Sequence, residues 1–384
     1  MIKEVEISSC CEIVSGSTPS RIIPDYWGGD INWFTPKDLS NLVGKFVDEA
    51  PEKITEQGYK SCSTNLLPPF SLMLSSRAPI GHLAINTVPA CTNQGFKSLV
   101  PKSNTDVNYL YYAIKRIIPM LQDLGNGATF KELSKSTLAK VKIPLPPLET
   151  QKRIAEILDA ADTLRQKTKT LIEKYDQLTQ SLFLDMFGDP VNNSHGWDIE
   201  PIHNLIAPVD KIDRGFYQSQ INYIDISSID NTSHEICNIT RHITSERPSR
   251  AQQILRKGDI LLSTVRPNLK NIAVNHTDDA IASTGFFIIR SNEKIESKFF
   301  FEVIKTDSIT NKLVGLTSGA NYPAIKSSDV KNINIPLPPL PLQNQFAERV
   351  QAIEVQKAKA QASLEKSEEL FQSLLQRAFK GEID

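Results

Sequence analysis

The sequence carries few groups arranged to make or break bonds. It has no GxxxxGK[ST] phosphate loop, and Gly125-Asn126-Gly127 lacks the third glycine and the preceding strand of a dinucleotide-binding fingerprint. Leu67-Pro68-Pro69-Phe70 has the outline of a tetrapeptide that holds an amine for methyl transfer. Leu67, however, stands where an Asp or Asn would accept the amine's hydrogen bond. Glu296-Ser297-Lys298 is an isolated E-x-K with no second acid at a sensible distance. The six histidines show no ligand spacing. The five cysteines form no CxxC, and the adjacent Cys10 and Cys11 suggest neither a disulfide framework nor a zinc site. A reduced, cytoplasmic protein is expected. The first residues do not read as a signal peptide, and no apolar run is long enough for a membrane span.

Groups suited to binding are more plentiful. The chain of 384 residues has a net charge of only −1, but its charges are segregated. Between Lys60 and Lys140 nine basic residues face only Asp106, Asp123 and Glu132, and between Arg241 and Lys270 seven face only Glu246 and Asp259. Such a distribution suits one basic face per domain, and equally an ordinary mixed surface. Arg77, Arg266 and Lys270 follow strands, where a loop can reach a groove; arginine bonded twice to guanine is the commonest specific base contact. Asn93 and Gln94 carry amides suited to adenine, or cap their own turn. Thr18, Ser20 and Arg21 follow a Gly–Pro turn and suit phosphates. Lys37, Lys131, Arg214, Ser228, Asn268 and Thr284 complete the candidate nucleic-acid contacts. Phe130 and Tyr322 occupy matching places, suited to packing or to base stacking.

These groups must be positioned by a scaffold that the chain spells twice. Ile143-Pro144-Leu145-Pro146-Pro147-Leu148 recurs unchanged as Ile335-Pro336-Leu337-Pro338-Pro339-Leu340. The register holds around it: Gln151 answers Gln343, Ala155-Glu156 answers Ala347-Glu348, and Gln180-Ser181-Leu182 answers Gln372-Ser373-Leu374. Within the globular parts, residues 31–35 and 71–75 read as strands. Residues 107–124 read as a helix that Pro119 kinks or ends. The fold class is α+β: domains at 1–140 and 190–332, each followed by a proline collar and a long helix, 141–189 and 333–384. Leu72-Met73-Leu74-Ser75 matches Ile260-Leu261-Leu262-Ser263, Arg77-Ala78-Pro79 roughly matches Arg266-Pro267, and Gln94-Gly95-Phe96 matches Thr284-Gly285-Phe286. The scaffold repeats while the polar residues change.

Heptad seams are expected along both helices. One runs through Ile157, Ala161, Leu164, Thr168, Leu171, Tyr175, Leu178 and Leu182. The other runs through Phe346, Val350, Ile353, Lys357, Ala360, Leu364, Ser367, Phe371, Leu374 and Ala378. Each helix spans roughly 57 Å at 1.5 Å per residue. The short link after Gly188 favours an antiparallel pair, with a globular domain at each end and a pseudo-two-fold axis.

The collar followed by Glu149-Thr150-Gln151-Lys152-Arg153-Ile154-Ala155-Glu156-Ile157-Leu158, preceded by Gly127-Ala128-Thr129-Phe130-Lys131-Glu132-Leu133, resembles the specificity subunit of type I restriction–modification systems. Thr35-Pro36-Lys37-Asp38-Leu39 and Thr92-Asn93-Gln94-Gly95-Phe96 fit its target-recognition domains. The resemblance covers essentially the whole chain. It implies a non-catalytic subunit that binds a bipartite double-stranded DNA site, one half per target-recognition domain. It also implies two modification subunits that carry S-adenosylmethionine and methylate adenine. Restriction subunits, using Mg and ATP, would translocate and cleave, in phage defence. No cofactor is expected in this chain. The competing readings are a methyltransferase–recognition fusion, against which the missing cofactor motifs count, and a dumbbell scaffold that joins proteins without DNA. Salt-dependent duplex binding separates the latter.

Overall fold

The computed structural model describes residues 3–127, 131–213, 219–319 and 323–383. Arg214, Thr129, Phe130, Asn321 and Tyr322 therefore lie outside the described residues. Four helices organise the fold: α1 (Val107–Asp123), α2 (Leu148–Phe187), α3 (Ser297–Lys305) and α4 (Leu340–Lys380). Pro341 falls in the first turn of α4, where its missing N–H has no helical partner to lose. Of the two outcomes expected at Pro119, a kink or an end, the end does not occur: the helix runs on to Asp123. Ile117 and Leu121, both buried, anchor the turn on either side of it.

The chain forms two compact units that do not coincide with the two repeats. Unit 1 comprises Met1–Thr170 and Gln361–Asp384, and unit 2 comprises Leu171–Ala360. In unit 1, a five-stranded sheet has the order Cys11–Ser15, Lys97–Pro101, Leu72–Ser76, Ile80–Asn86, Phe46–Val47. A three-stranded sheet has Trp27–Phe34 at its centre, antiparallel to Glu52–Ile54 and parallel to Ala90–Thr92. Unit 2 repeats these pairings: Gln220–Ile224 runs parallel to Ala280–Ser283, and Ile260–Ser263 lies between Ile272–Val274 and Phe286–Ile289.

Each proline collar is held in the same way. Glu4–Glu6 pairs antiparallel with Lys142–Pro144, and Ile199–Pro201 pairs likewise with Asn334–Pro336. The flanking bonds match: Ile7 N–H to the Val141 carbonyl and Ile202 N–H to the Ile333 carbonyl; Leu145 to Lys3 and Leu337 to Asp198. The repeated glutamine explains itself here. Gln151 is fully buried; its oxygen accepts from the Asp106 N–H (2.9 Å), and its amide donates to the Asn104 (3.0 Å) and Pro146 (2.8 Å) carbonyls. Gln343 accepts from the Glu296 N–H (2.8 Å) and donates to the Pro338 carbonyl (2.7 Å). One amide thus ties the collar to the start of the domain helix. Replacing Gln151 with leucine is expected to lower unit 1 stability by about 1–3 kcal/mol for each buried group left without a partner. Thermal unfolding measures it, and an unchanged midpoint would show the clamp to be idle.

Within each unit the two long helices run antiparallel. In unit 1, Arg165 donates to Glu368 (2.9 Å) and Lys169 pairs with it (3.0 Å), while Ala155, Leu158 and Ala161 share a core with Phe371, Leu375 and Phe379. In unit 2, Lys357 meets Asp176 (2.5 Å), and Phe183 and Phe187 pack on Phe346 with ring centroids 5.8 and 5.4 Å apart. The seam expected for α4 holds at all its positions, each buried or half-buried. The seam expected for α2 does not. Leu164, Leu171 and Leu178 are 49%, 43% and 50% exposed, and the inward places are taken by Leu158, Arg165, Ile172 and Thr179. The rotation of α2 is set at its ends: Ile154, Leu158 and Ala161 enter the unit 1 core, and Phe183 and Phe187 enter that of unit 2. Counting back from Phe183 in steps of four and three gives Thr179, not Leu178.

Candidate nucleic-acid interface

In unit 1 five loops converge. Ser17 N–H bonds the Thr92 carbonyl and Asn93 N–H the Phe34 carbonyl, while Ser76 N–H bonds the Gly95 carbonyl and Leu133 N–H the Ser76 carbonyl. The approach is close: a Cβ on Gly16 would lie 2.2 Å from the Thr92 and Asn93 carbonyl oxygens, and one on Gly95 would lie 2.9 Å from Pro36. These bonds bring together Thr18, Ser20, Arg21, Lys37, Arg77, Asn93, Gln94 and Lys131, which stand far apart in sequence.

Several of these side chains already have work. Thr18 donates to Gln94. The Ser20 carbonyl accepts from the Trp27 indole (3.1 Å). Arg21 lies over the Trp27 ring, 3.7 Å from its centroid, and bonds Glu52 through both guanidinium ends (2.6 and 2.8 Å). That bond raises the pKa of Arg21 and holds the Glu52 carboxyl below its usual range. Asn93 accepts from the Gly95 N–H (2.8 Å), so its oxygen closes its own turn. Lys37 is exposed at the start of a short turn closed by Thr35 and Asp38. Lys131 is exposed, reaching toward the Gln122 carbonyl at 3.5 Å. Arg77 lies 4.0 Å from Glu132, which also accepts from Lys97 (3.4 Å).

Unit 2 gathers the equivalent loops. Thr264 N–H bonds the Gly285 carbonyl, Thr284 N–H the Arg250 carbonyl, and Ile325 N–H the Thr264 carbonyl. Arg266, Asn268 and Thr284 are exposed here. Lys270 is half-buried, bonded to Asp307 (2.6 Å) and the Lys305 carbonyl (3.2 Å). Ser228 is a correction: it is 3% exposed, and its hydroxyl accepts from the Asp225 N–H (3.1 Å) to close a turn. Contact with DNA would require it to leave that turn. Arg250, exposed beside Thr284, was passed over; only the fold places it there.

The match between repeats is also corrected. Arg77 bridges Glu132, whereas Val265 bridges Ala324; Ser75 bridges Phe96, whereas Ser263 pairs with Phe286. Arg77 is therefore equivalent to Val265. Arg266 is equivalent to Ala78, and the two share the left-handed backbone, φ 49° and 46°. The segregated charge is only partly a surface. Lys97 is buried, Lys115 lies over Phe371 (5.3 Å) and Arg116 over Phe379 (5.0 Å). Burial lowers the pKa of Lys115.

The isolated E-x-K is structural. Glu296 caps α3 by accepting from the Phe299 N–H (2.7 Å), and Lys298 pairs with Glu354. Leu67 is buried. Among the described residues no group of His, Cys, Asp and Glu is placed to hold a metal, and no helix is long and apolar enough to cross a membrane.

The family described as "Type I restriction modification DNA specificity domain" matches residues 2–174 and again 210–366. The MjaIX specificity subunit of Methanocaldococcus jannaschii is 29% identical over 376 residues, 91% of this chain and 85% of that protein. The EcoR124I/EcoR124II specificity subunit of Escherichia coli is 32% identical over 190 residues, 47% of this chain and 46% of that one. The crystal structure of the type I S subunit from M. genitalium has the same fold: TM-score 0.58 at 15% identity, covering 98% of this chain and 96% of that chain.

Proposed function

The chain belongs to the family of type I restriction–modification DNA specificity domains, and from that premise we propose that its two loop clusters each read one half of a bipartite double-stranded DNA target. One observation carries the reading. The collar pairings, the glutamine clamps and the central strand pairings recur in both units, while the residues on the converging loops differ. A repeated scaffold with unlike loops suits two different half-sites. The candidate contacts divide between phosphate holders, such as Lys37 and Lys131, and base readers, such as Gln94, Arg266 and Asn268.

We also propose that the chain is non-catalytic and works in the cytoplasm. Two modification subunits would supply S-adenosylmethionine, and restriction subunits would supply Mg- and ATP-dependent cleavage. The long helices would be the part that those subunits grip. The test is to map methylated adenines in cells expressing the chain with its neighbouring methyltransferase gene. A two-part motif that appears with the chain and disappears without it supports the reading. Methylation that is independent of the chain overturns it.

A further inference from the structure

Among the described residues of the unit 1 loop cluster, Glu132 is the acid that faces two cations. It sits opposite Arg77 in a backbone bridge; one carboxylate oxygen lies 3.4 Å from Lys97 Nζ and the other 4.0 Å from the Arg77 guanidinium. Glu132 and Arg77 remain 44% and 36% exposed, so both reach solvent. At the equivalent places of unit 2 stand Ala324, Val265 and Phe287, fixed by the Val265–Ala324 bridge and the shared Gly–Phe step. All three charges are thus absent together from the second copy. The same scaffold folds without them, so the cluster serves what unit 1 presents.

We propose that Glu132 is a specificity-determining residue: its carboxylate, bonded by the buried Lys97, holds the place that a DNA phosphate would take on the exposed Arg77, and so weakens the hold of unit 1 on unmatched duplex. The inference rests on the DNA-recognition reading above. Non-specific binding comes almost wholly from cation–phosphate contacts and falls steeply with salt. An acid built into the cationic pair subtracts from that contribution, whereas base-edge contacts elsewhere in the cluster are untouched. Matched and unmatched DNA are thereby driven apart.

The test uses the full chain and duplex DNA of mixed sequence over a range of salt. Glu132→Gln is expected to tighten binding about 2–5-fold at low salt, as befits a surface ion pair, and to steepen the salt slope by up to about 0.9, one further phosphate. Glu12→Gln, which removes an exposed acid from the strand Cys11–Ser15, is expected to do neither. The gain should vanish in Arg77→Gln/Glu132→Gln. Glu132→Ala, which installs the side chain that unit 2 already carries, gives a second reading, and thermal melting checks that each variant folds. Unchanged or weaker binding by Glu132→Gln, or an equal effect of Glu12→Gln, overturns the proposal while leaving the DNA reading intact. A wild-type chain with no salt-dependent binding removes the DNA reading itself.

Discussion

Replacing Arg290 with methionine is expected to cost unit 2 about 3–5 kcal/mol, because it strands a buried carboxylate. Arg290 is 9% exposed and its partner Asp259 only 2%. The pair is bidentate, with both contacts at 2.9 Å. The remaining guanidinium protons go to the Ile254 and Pro208 carbonyls, each at 3.0 Å, and toward Asp210 at 3.4 Å. Methionine fills much of the volume but donates nothing, leaving Asp259 with the Arg256 N–H as its remaining partner. In unit 1 the matching places hold Ser71 and Val100, so this network belongs to unit 2 alone. Hydrogen exchange should accelerate at Ile254 and Ile288 and stay unchanged at Leu74 and Leu99. Adding Asp259→Leu should recover much of the loss, since an apolar pair can replace a buried ionic one. An Arg290→Met chain as stable as the parent would show that the network contributes nothing.

Copying the unit 2 reader into unit 1 is expected to convert a two-part asymmetric methylation motif into a symmetric one. The exchange replaces residues 7–141 with 202–333. Both junctions then fall where the two repeats make the same backbone bonds: Ile7 to Val141, Ile202 to Ile333. One mismatch must be repaired. Tyr112 donates to Asp159 on α2 (2.6 Å), and the transplanted Glu302 would meet Asp159 as a like charge. The counterpart of Asp159 in the second repeat is Gln351, which accepts from Lys298 (2.9 Å). The exchange should therefore carry Asp159→Gln. Methylation mapping reads the outcome. A chimera that folds and methylates but keeps the parental asymmetric motif would refute the assignment of one half-site to each unit.

Much of the scaffold was legible because it is repeated. Two copies of Ile-Pro-Leu-Pro-Pro-Leu, each followed by a glutamine at the same distance, announced the collars and the helices, and the α4 seam could be read directly. The α2 seam misled because leucines at 164, 171 and 178 are themselves spaced by seven. A pattern gives the period of a helix; its phase came from Phe183 and Leu158, whose burial depends on cores built elsewhere in the chain. The site was legible in parts. Arg77 and Gln94 stand on the converging loops. The equivalence of Arg77 with Val265, the engagement of Lys270 by Asp307 and the burial of Ser228 depend on strand register and on turns. A short proline-marked match between weakly similar domains cannot fix these to the residue.

The compact units cut across the repeats, and this has a consequence for synthesis. The core of unit 1 includes Phe371, Leu375, Ala378 and Phe379, with Tyr109 packed on Phe379 at 5.2 Å and Tyr112 facing Phe371 at 6.1 Å. Those four residues leave the ribosome after every residue of unit 2. Of the two units, the one that begins to emerge earlier is therefore completed later, while Phe183 and Phe187 already wait for the residues that close unit 2. A nascent chain stopped near residue 360 would carry the full set of unit 2 residues beside a unit 1 whose tyrosines are uncovered. Termination between Ala360 and Phe371 would thus strike the reader whose synthesis began earlier, and quality-control machinery would meet the exposed aromatic surface of unit 1.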